Sequence, residues 1–283
     1  MTRREPKVVV ISDTHLGTYG CHAKELLQYL DSIKPEILVL NGDIIDIWNF
    51  KVRYFPQSHT DVLRKILKMA SQGVTVFYIP GNHDEKIREY IGLHLGGIKI
   101  VEKLILKIDN KKYWIFHGDV FDATTRGTAK LIAKLGGKGY DLLIWLNHII
   151  NKTLLFFGKE KMSFSKKVKS GVKKAVAWIN NFEQTAIDLA IENHYDYVIC
   201  GHIHQPQIRE CTNQHGSTTY LNSGDWIENL TTLEYDQKAW SIYHYEKSKF
   251  LASVPKEFKS ANKEPNQEAL SEIPESIYEL MPI

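Results

Sequence analysis

Cysteine is scarce in this 283-residue chain: Cys21, Cys200 and Cys211 are the only three, and no two of them have C-x-x-C spacing. An odd, scattered set excludes a disulfide-stapled scaffold and points to a reducing compartment, the cytoplasm. Long apolar runs are also missing. No stretch reaches the roughly 20 residues that a membrane-spanning helix needs. The opening Met1 to Lys7 lacks the apolar character of a secretory signal, so a soluble or peripheral protein is expected. There is no internal repeat, and neither sign of charge dominates, the net being +3. A hydrophobic content of 43% allows one large core with an insertion and does not call for two full domains.

Asp, Asn and His collect in five short segments: Asp13-Thr14-His15, Gly42-Asp43, Gly81-Asn82-His83-Asp84, His117-Gly118-Asp119 and Gly201-His202-Ile203-His204. Four of them follow apolar runs that read as buried strands, Val8 to Ile11, Ile37 to Leu40, Val74 to Ile79 and Val198 to Cys200. His117 closes a fifth run, Tyr113 to Phe116. Strand ends are rigid places from which an open α/β sheet presents polar groups to a crevice, so the pattern predicts these clusters along one edge of one sheet. Taken singly, each has a plainer reading as a helix-capping turn, a Gly-Asp turn or a satisfied histidine. Taken together, they supply oxygen and imidazole ligands for two metal ions. A mixed Asp, Asn and His set without cysteine fits manganese foremost, with iron or zinc as alternatives, and fits catalysis better than scaffolding. Two such ions in one site suit hydrolysis of a phosphate ester or anhydride.

Between the clusters, strand and helix alternate. Ala23, Leu26, Leu27, Leu30 and Ile33 have helical spacing, as do Val62, Ile66, Met69 and Ala70, and then Phe182, Ala186, Leu189 and Ala190; all three stripes read as core faces. Short strands near Thr218 to Leu221, Leu230 to Tyr235 and Trp240 to Tyr245 are expected to form the second sheet of a two-sheet sandwich. Residues 254–283 have the composition of a flexible tail whose end, near Ile277 to Leu280, docks locally.

The order DTH, GDIID, GNHD, HGD, GHIH resembles the calcineurin-like metallophosphoesterase superfamily from about residue 7 to about residue 245. The resemblance implies a four-layer α/β/β/α sandwich with a helical insertion, the catalytic domain lying within residues 1–250. It implies one divalent ion held by Asp13, His15, Asp43 and His204, and a second held by Asp43, Asn82, His117 and His202, with Asp43 as the bridge. His83 matches the histidine that stabilises phosphoryl oxygens or protonates the leaving group, and its neighbour Asp84 is the expected orienting partner.

The segment 123–180 departs from a minimal enzyme of this kind. It carries 12 Lys and Arg against 2 acidic residues, a net of +10 in a chain of +3. Leu142 to Leu146 and Leu154 to Phe157 add apolar bulk ahead of Lys166, Lys167, Lys169, Lys173 and Lys174. Apolar bulk beside a cationic stripe fits a helical element lying on an anionic membrane or receiving a lipid-like phosphate. A helical hairpin with solvated lysines is the plainer reading. Nucleic acid ranks lower, because the aromatic residues are not interleaved with the lysines as stacking platforms.

Gly42 to Trp48 and the insertion after His117 to Asp122 resemble the branch containing UDP-2,3-diacylglucosamine pyrophosphohydrolases of lipid A biosynthesis. That resemblance places Asp46, Trp48 and Asp122 on the substrate side and makes the insertion, with Lys166, Lys167 and Lys169, a cap over acyl chains. It also implies peripheral contact with the inner face of the cytoplasmic membrane. One position departs: the best-known members carry Arg where this chain has His83, and GNHD is the general phosphatase form. A general phosphomonoesterase or phosphodiesterase therefore stays open as an alternative. So does a scaffold of the same fold, although scaffolds usually lack part of the ligand set. Oligomeric state is not legible.

Overall fold

The computed structural model describes residues 3–47, 54–121 and 172–246, and residues 2–245 form one unit. Trp48, Asp122, Lys166, Lys167, Lys169 and the segment 254–283 lie outside the described residues, as does most of the expected insertion. Residues 172–180, its expected end, form the first part of a helix that continues to Glu192.

In chain order the strands are β1 (Val8–Ile11), β2 (Ile37–Asn41), β3 (Thr75–Ile79), β4 (His94–Leu95), β5 (Ile98–Ile100), β6 (Leu104–Ile108), β7 (Lys111–Ile115), β8 (Tyr197–Cys200), β9 (Gln207–Asn213), β10 (Gly216–Asn222), β11 (Thr231–Asp236) and β12 (Ala239–His244). Among the described residues the α-helices are α1 (Ala23–Ser32), α2 (Gln57–Ser71) and α3 (Val172–Glu192). A seven-stranded sheet has the order β12-β11-β1-β2-β3-β5-β4, and a five-stranded sheet the order β6-β7-β8-β10-β9. Each has a parallel centre with antiparallel strands at its edges: β1, β2, β3 and β5 in the first, β7, β8 and β10 in the second.

Alternation along β1 explains the layering. Val8 and Val10 enter a core between the sheets with Val39, Ile79, Ile115, Ile199, Leu221 and Leu233. Val9 and Ile11 face the other way, into a core with Leu26, Tyr29 and Leu30 of α1 and Val62, Ile66 and Met69 of α2. A third core packs Phe182, Ala186, Leu189 and Ala190 of α3 on Trp114, Val198 and Tyr220 of the second sheet. The result is the four-layer α/β/β/α sandwich, held by three apolar seams, in which each fully buried Val, Leu or Ile contributes about 1.5–3 kcal/mol.

Two expectations are corrected. Of the three late strands expected from sequence, only the one that became β10 joins the second sheet, beside β9; β11 and β12 return to the first, where β11 lies antiparallel to β1 with Val10 opposite Leu233. Leu233 and Tyr235 thereby cover the inter-sheet seam. The polar clusters likewise do not share one sheet: three follow β1, β2 and β3, and two follow β7 and β8. Their common location is where the carboxyl ends of two facing sheets meet. No helix among the described residues is long and apolar enough to cross a membrane.

Candidate metal centre

Parallel strands deliver their following loops to one end of the sandwich, and the backbone there is bent into an unusual shape. Asp13, His15, Asp43, His202 and His204 all have positive φ, between 47° and 68°. For residues with a Cβ that conformation costs on the order of 1 kcal/mol each and persists only where surroundings impose it. Backbone hydrogen bonds do so here. Asp13 N donates to Gly42 O at 3.0 Å, His15 N to Asp43 O at 2.9 Å and Leu16 N to Ile44 O at 2.9 Å, zipping the β1 and β2 loops together. His202 N donates to Asp13 Oδ2 at 3.0 Å and Trp226 N to Asp13 O at 3.1 Å, joining the loop of the other sheet. Two glycines make room. A Cβ on Gly42, at φ +81°, would run into the His117 ring, and one on Gly81 would meet His117 Cδ2 at 2.7 Å.

Three groups of donor atoms converge: Asp13, His15 and His204; His15, Asp43 and His83; Asp43, His117 and His202, each with its atoms within 4.8 Å of one another. His204 Nε2 lies 3.1 Å from Asp13 Oδ1, and Asp43 Oδ2 lies 3.3 Å from His117 Nε2 and 4.0 Å from His15 Nε2. Asp43 thus faces both outer groups. Asn82 belongs to the same loop as His83, whose N–H donates to Asp43 Oδ1 at 2.7 Å. The structure therefore brings the predicted ligand residues to one place.

Their chemistry fits a cation. His15 Nε2, Asn82 Oδ1 and His117 Nε2 are buried and make no hydrogen bond. Such orphaned atoms each cost about 1–3 kcal/mol, and the two imidazole nitrogens stand 4.0 and 3.3 Å from Asp43 Oδ2. Ligand atoms around an ion with roughly 2.1 Å bonds stand about 3–3.5 Å apart. The opposite ring nitrogens are committed. His117 Nδ1–H donates to Asn41 O at 2.8 Å, and His15 Nδ1 lies 3.5 Å from Asp46 Oδ2, which leaves each Nε2 lone pair turned to the cluster.

Charge tells the same story. Burial would push Asp13 and Asp43 up, but His204 beside the first and His117 beside the second hold both carboxyls below the usual range. Burial would likewise lower the imidazoles, yet Asp43 lifts His117 well above its ordinary value, and Asp13 raises His204 to about 9. Buried carboxylates that favour their charged form beside imidazoles mark the pocket as one built for positive charge.

The expected partner of His83 is corrected. Asp84, adjacent in sequence, is fully buried and turned away, accepting from Gly81 N at 2.6 Å, Ile44 N at 2.9 Å and Tyr78 Oη at 2.5 Å. It fastens the loop and does not touch His83 chemistry directly. The carboxylate beside His83 is Asp46, whose Oδ2 is 3.0 Å from His83 Nδ1. Asp46 was expected to line the substrate; at 2% exposure it sits behind the rings of His15 and His83, bracing both. Burial lowers His83, and the hydrogen bond to Asp46 with the charge of Asp43 more than reverses that, raising it overall.

Sequence reasoning missed the supports. Asn41 takes His117 Nδ1–H on its carbonyl and donates Nδ2 to Phe116 O at 3.1 Å, and Asn222 Nδ2 donates to Gly201 O at 2.8 Å. A polar residue closing each apolar strand was the available signal.

A family profile described as calcineurin-like phosphoesterase matches residues 6–206. A UDP-2,3-diacylglucosamine hydrolase of Porphyromonas gingivalis is 30% identical over 122 residues, 40% of this chain and 46% of that protein. The protein of the same name from Blochmanniella pennsylvanica is 24% identical over 76% of this chain and 92% of its own length, and that of Aliivibrio fischeri is 22% identical over 84% and 98%.

Proposed function

The chain belongs to the calcineurin-like phosphoesterase family, and from that premise we propose that it is a hydrolase of UDP-2,3-diacylglucosamine, splitting the pyrophosphate with water into UMP and the sugar-lipid monophosphate. The observation that carries the metal-dependent reading is the convergence of Asp13, His15, Asp43, His117, His202 and His204, among which His15 Nε2 and His117 Nε2 find no hydrogen-bond partner among the described residues.

Asp13, His15, Asp43 and His204 would hold one divalent cation, and Asp43, Asn82, His117 and His202 a second, manganese foremost. The pair supplies an activated water and neutralises the charge of the phosphoryl oxygens. The chain does the rest. Asn41 O fixes the tautomer of His117, whose Nε2 is thereby presented as a ligand, and the Asp46 carboxylate stands 3.5 Å behind His15 Nδ1. Asp46 and Asp43 favour the charged form of His83, so that its imidazolium donates a hydrogen bond or a proton to the oxygen that leaves.

The substrate is read from two supports. The relatives named above act on UDP-2,3-diacylglucosamine by their names, and residues 123–180 combine net charge +10 with apolar clusters suited to acyl chains and an anionic surface. In this reading Trp48 and Asp122 line the substrate, and Lys166, Lys167 and Lys169 meet phosphate or lipid head groups. The enzyme works in the cytoplasm at the inner face of the membrane. His83 favours a second reading, a general phosphoesterase, since a proton donor matters most for a poor alkoxide leaving group and an arginine can only supply charge.

Manganese-dependent hydrolysis of UDP-2,3-diacylglucosamine, followed by phosphorus NMR beside bis-p-nitrophenyl phosphate, separates the two. UMP release at far higher catalytic efficiency than the generic reaction is expected. Turnover of the generic ester alone removes the lipid substrate and leaves the general phosphoesterase.

A further inference from the structure

Two of the residues assigned to the second cation position reach it from different sheets: Asn82 follows β3 and His117 follows β7. Arg88 spans the two loops. Its Nη1 and Nη2 donate to the two carboxylate oxygens of Asp119, each at 3.0 Å, and Nη2 also donates to Pro80 O at 2.9 Å. Its Nε donates to Glu102 at 3.2 Å. Pro80 is two residues before Asn82, and Asp119 is two residues after His117. The contact is largely out of solvent, with Asp119 buried and the Arg88 side chain 16% exposed.

The first cation position has other ties between the sheets. Ser12 Oγ and Ser223 Oγ share a hydrogen bond of 2.7 Å, and Asp13 accepts from His202 N and gives its carbonyl to Trp226 N. None of those ties involves Arg88.

We propose that Arg88 is a positioning residue for the second cation position, setting the separation of the Asn82 and His117 loops across the two sheets. A guanidinium suits the task because its planar fork reaches Asp119 through two parallel bonds while still capping Pro80 O; an ammonium cannot hold that arrangement. The inference rests on the two-cation reading above. A role confined to stability is the competing explanation, since a buried ion pair can hold loops without bearing on any ligand.

The test is manganese binding to the full chain, by calorimetric titration with electron paramagnetic resonance of the free ion, in wild type, Arg88→Lys, Arg88→Met and Asp119→Asn. Wild type is expected to bind two ions. The variants are expected to keep one with unchanged affinity and to bind the other about 10–100-fold more weakly, the usual cost of removing a support behind a metal ligand. Asn82→Ala serves as the benchmark for loss of that same position. Urea unfolding without metal reports the fold independently. If Arg88→Met does not fold, Arg88→Lys and Asp119→Asn, which keep charge or shape, decide the matter. Two tight ions in both of those variants would overturn the inference, and so would equal weakening at both positions. A wild-type chain that binds one ion overturns the two-cation reading, and this inference with it, in a way the variants alone cannot imitate.

Discussion

The same strands end in two opposite kinds of interior. Between the sheets, Val10, Val39, Ile79, Ile115, Ile199 and Leu221 form the middle of a buried apolar seam. Two to four residues further along the chain stand Asp13, Asp43, Asn82, His117 and His202, buried or half-buried, several of them in left-handed conformations and with ligand atoms left unsatisfied among the described residues. The seam stabilises whatever the solution contains. The loops cost free energy until a cation arrives, and at on the order of 1 kcal/mol for each left-handed residue their strain approaches the net stability of a typical domain. The two regions therefore divide the labour: the seam supplies the surplus that lets the loops hold a poor conformation.

The sharpest way to break that division is to remove Asp43, the residue proposed to be shared by both cation positions. Asp43→Asn should reduce hydrolysis below detection. Measured with chelator present, it should still fold, losing no more than about 3–5 kcal/mol, because the loop keeps a hydrogen-bond acceptor for His83 N while His117 loses the carboxylate that favours its protonated form. A chelated variant that unfolds outright would show that Asp43 belongs to the scaffold and not to the site.

The converse substitution acts on the seam. Ile199 is fully buried on β8, between the sheets and one strand end away from His202. Ile199→Ala should destabilise the protein by about 2–5 kcal/mol through lost transfer energy and a cavity. The surviving folded fraction should retain wild-type kcat/KM, which urea titration and kinetics at low temperature can read together. A large loss of kcat/KM in fully folded protein would mean that the seam transmits directly to the ligand loops.

Much of this was legible from residue order, and the failures have a common cause. The ligand residues announce themselves because each is local: an apolar run of strand length, then a polar residue that a strand interior would not tolerate. The stripes of α1, α2 and α3 are local in the same sense, although Tyr29 joins the α1 face unannounced. Sheet membership is not local. Nothing in Thr231 to Asp236 says that it pairs with β1 and not with β10, and β9, an edge strand with mostly exposed residues, has no apolar period to find. The assignment of Asp84 to His83 failed for a related reason. Adjacency in sequence places two side chains near each other only if the loop permits it, and this loop turns Asp84 inward to its own backbone while Asp46 arrives from the β2 loop. The support that the Asn41 carbonyl gives His117 is announced only indirectly, by a polar residue closing an apolar strand, since the bond itself is made by the backbone.

Asp46 itself gives the smallest and most discriminating effect. Its Oδ2 lies 3.0 Å from His83 Nδ1 and 3.5 Å from His15 Nδ1, so one carboxylate braces a candidate ligand and a candidate proton donor. Asp46→Asn preserves size but replaces one acceptor oxygen with an N–H and removes the charge, so manganese affinity should fall by about 10-fold, at the mild end for a lost support. The pH dependence adds a readout that packing alone would not move. His83 is raised above its ordinary value despite burial because Asp46 and Asp43 favour its protonated form. A proton donor works only while protonated, so the rate on an alkyl phosphate ester should decline as pH rises through the His83 pKa. Without the Asp46 charge that pKa drops, and the decline should begin at lower pH in the variant at saturating manganese. A weaker metal site with an unmoved high-pH limb would confine Asp46 to His15, and would take from His83 the role of proton donor.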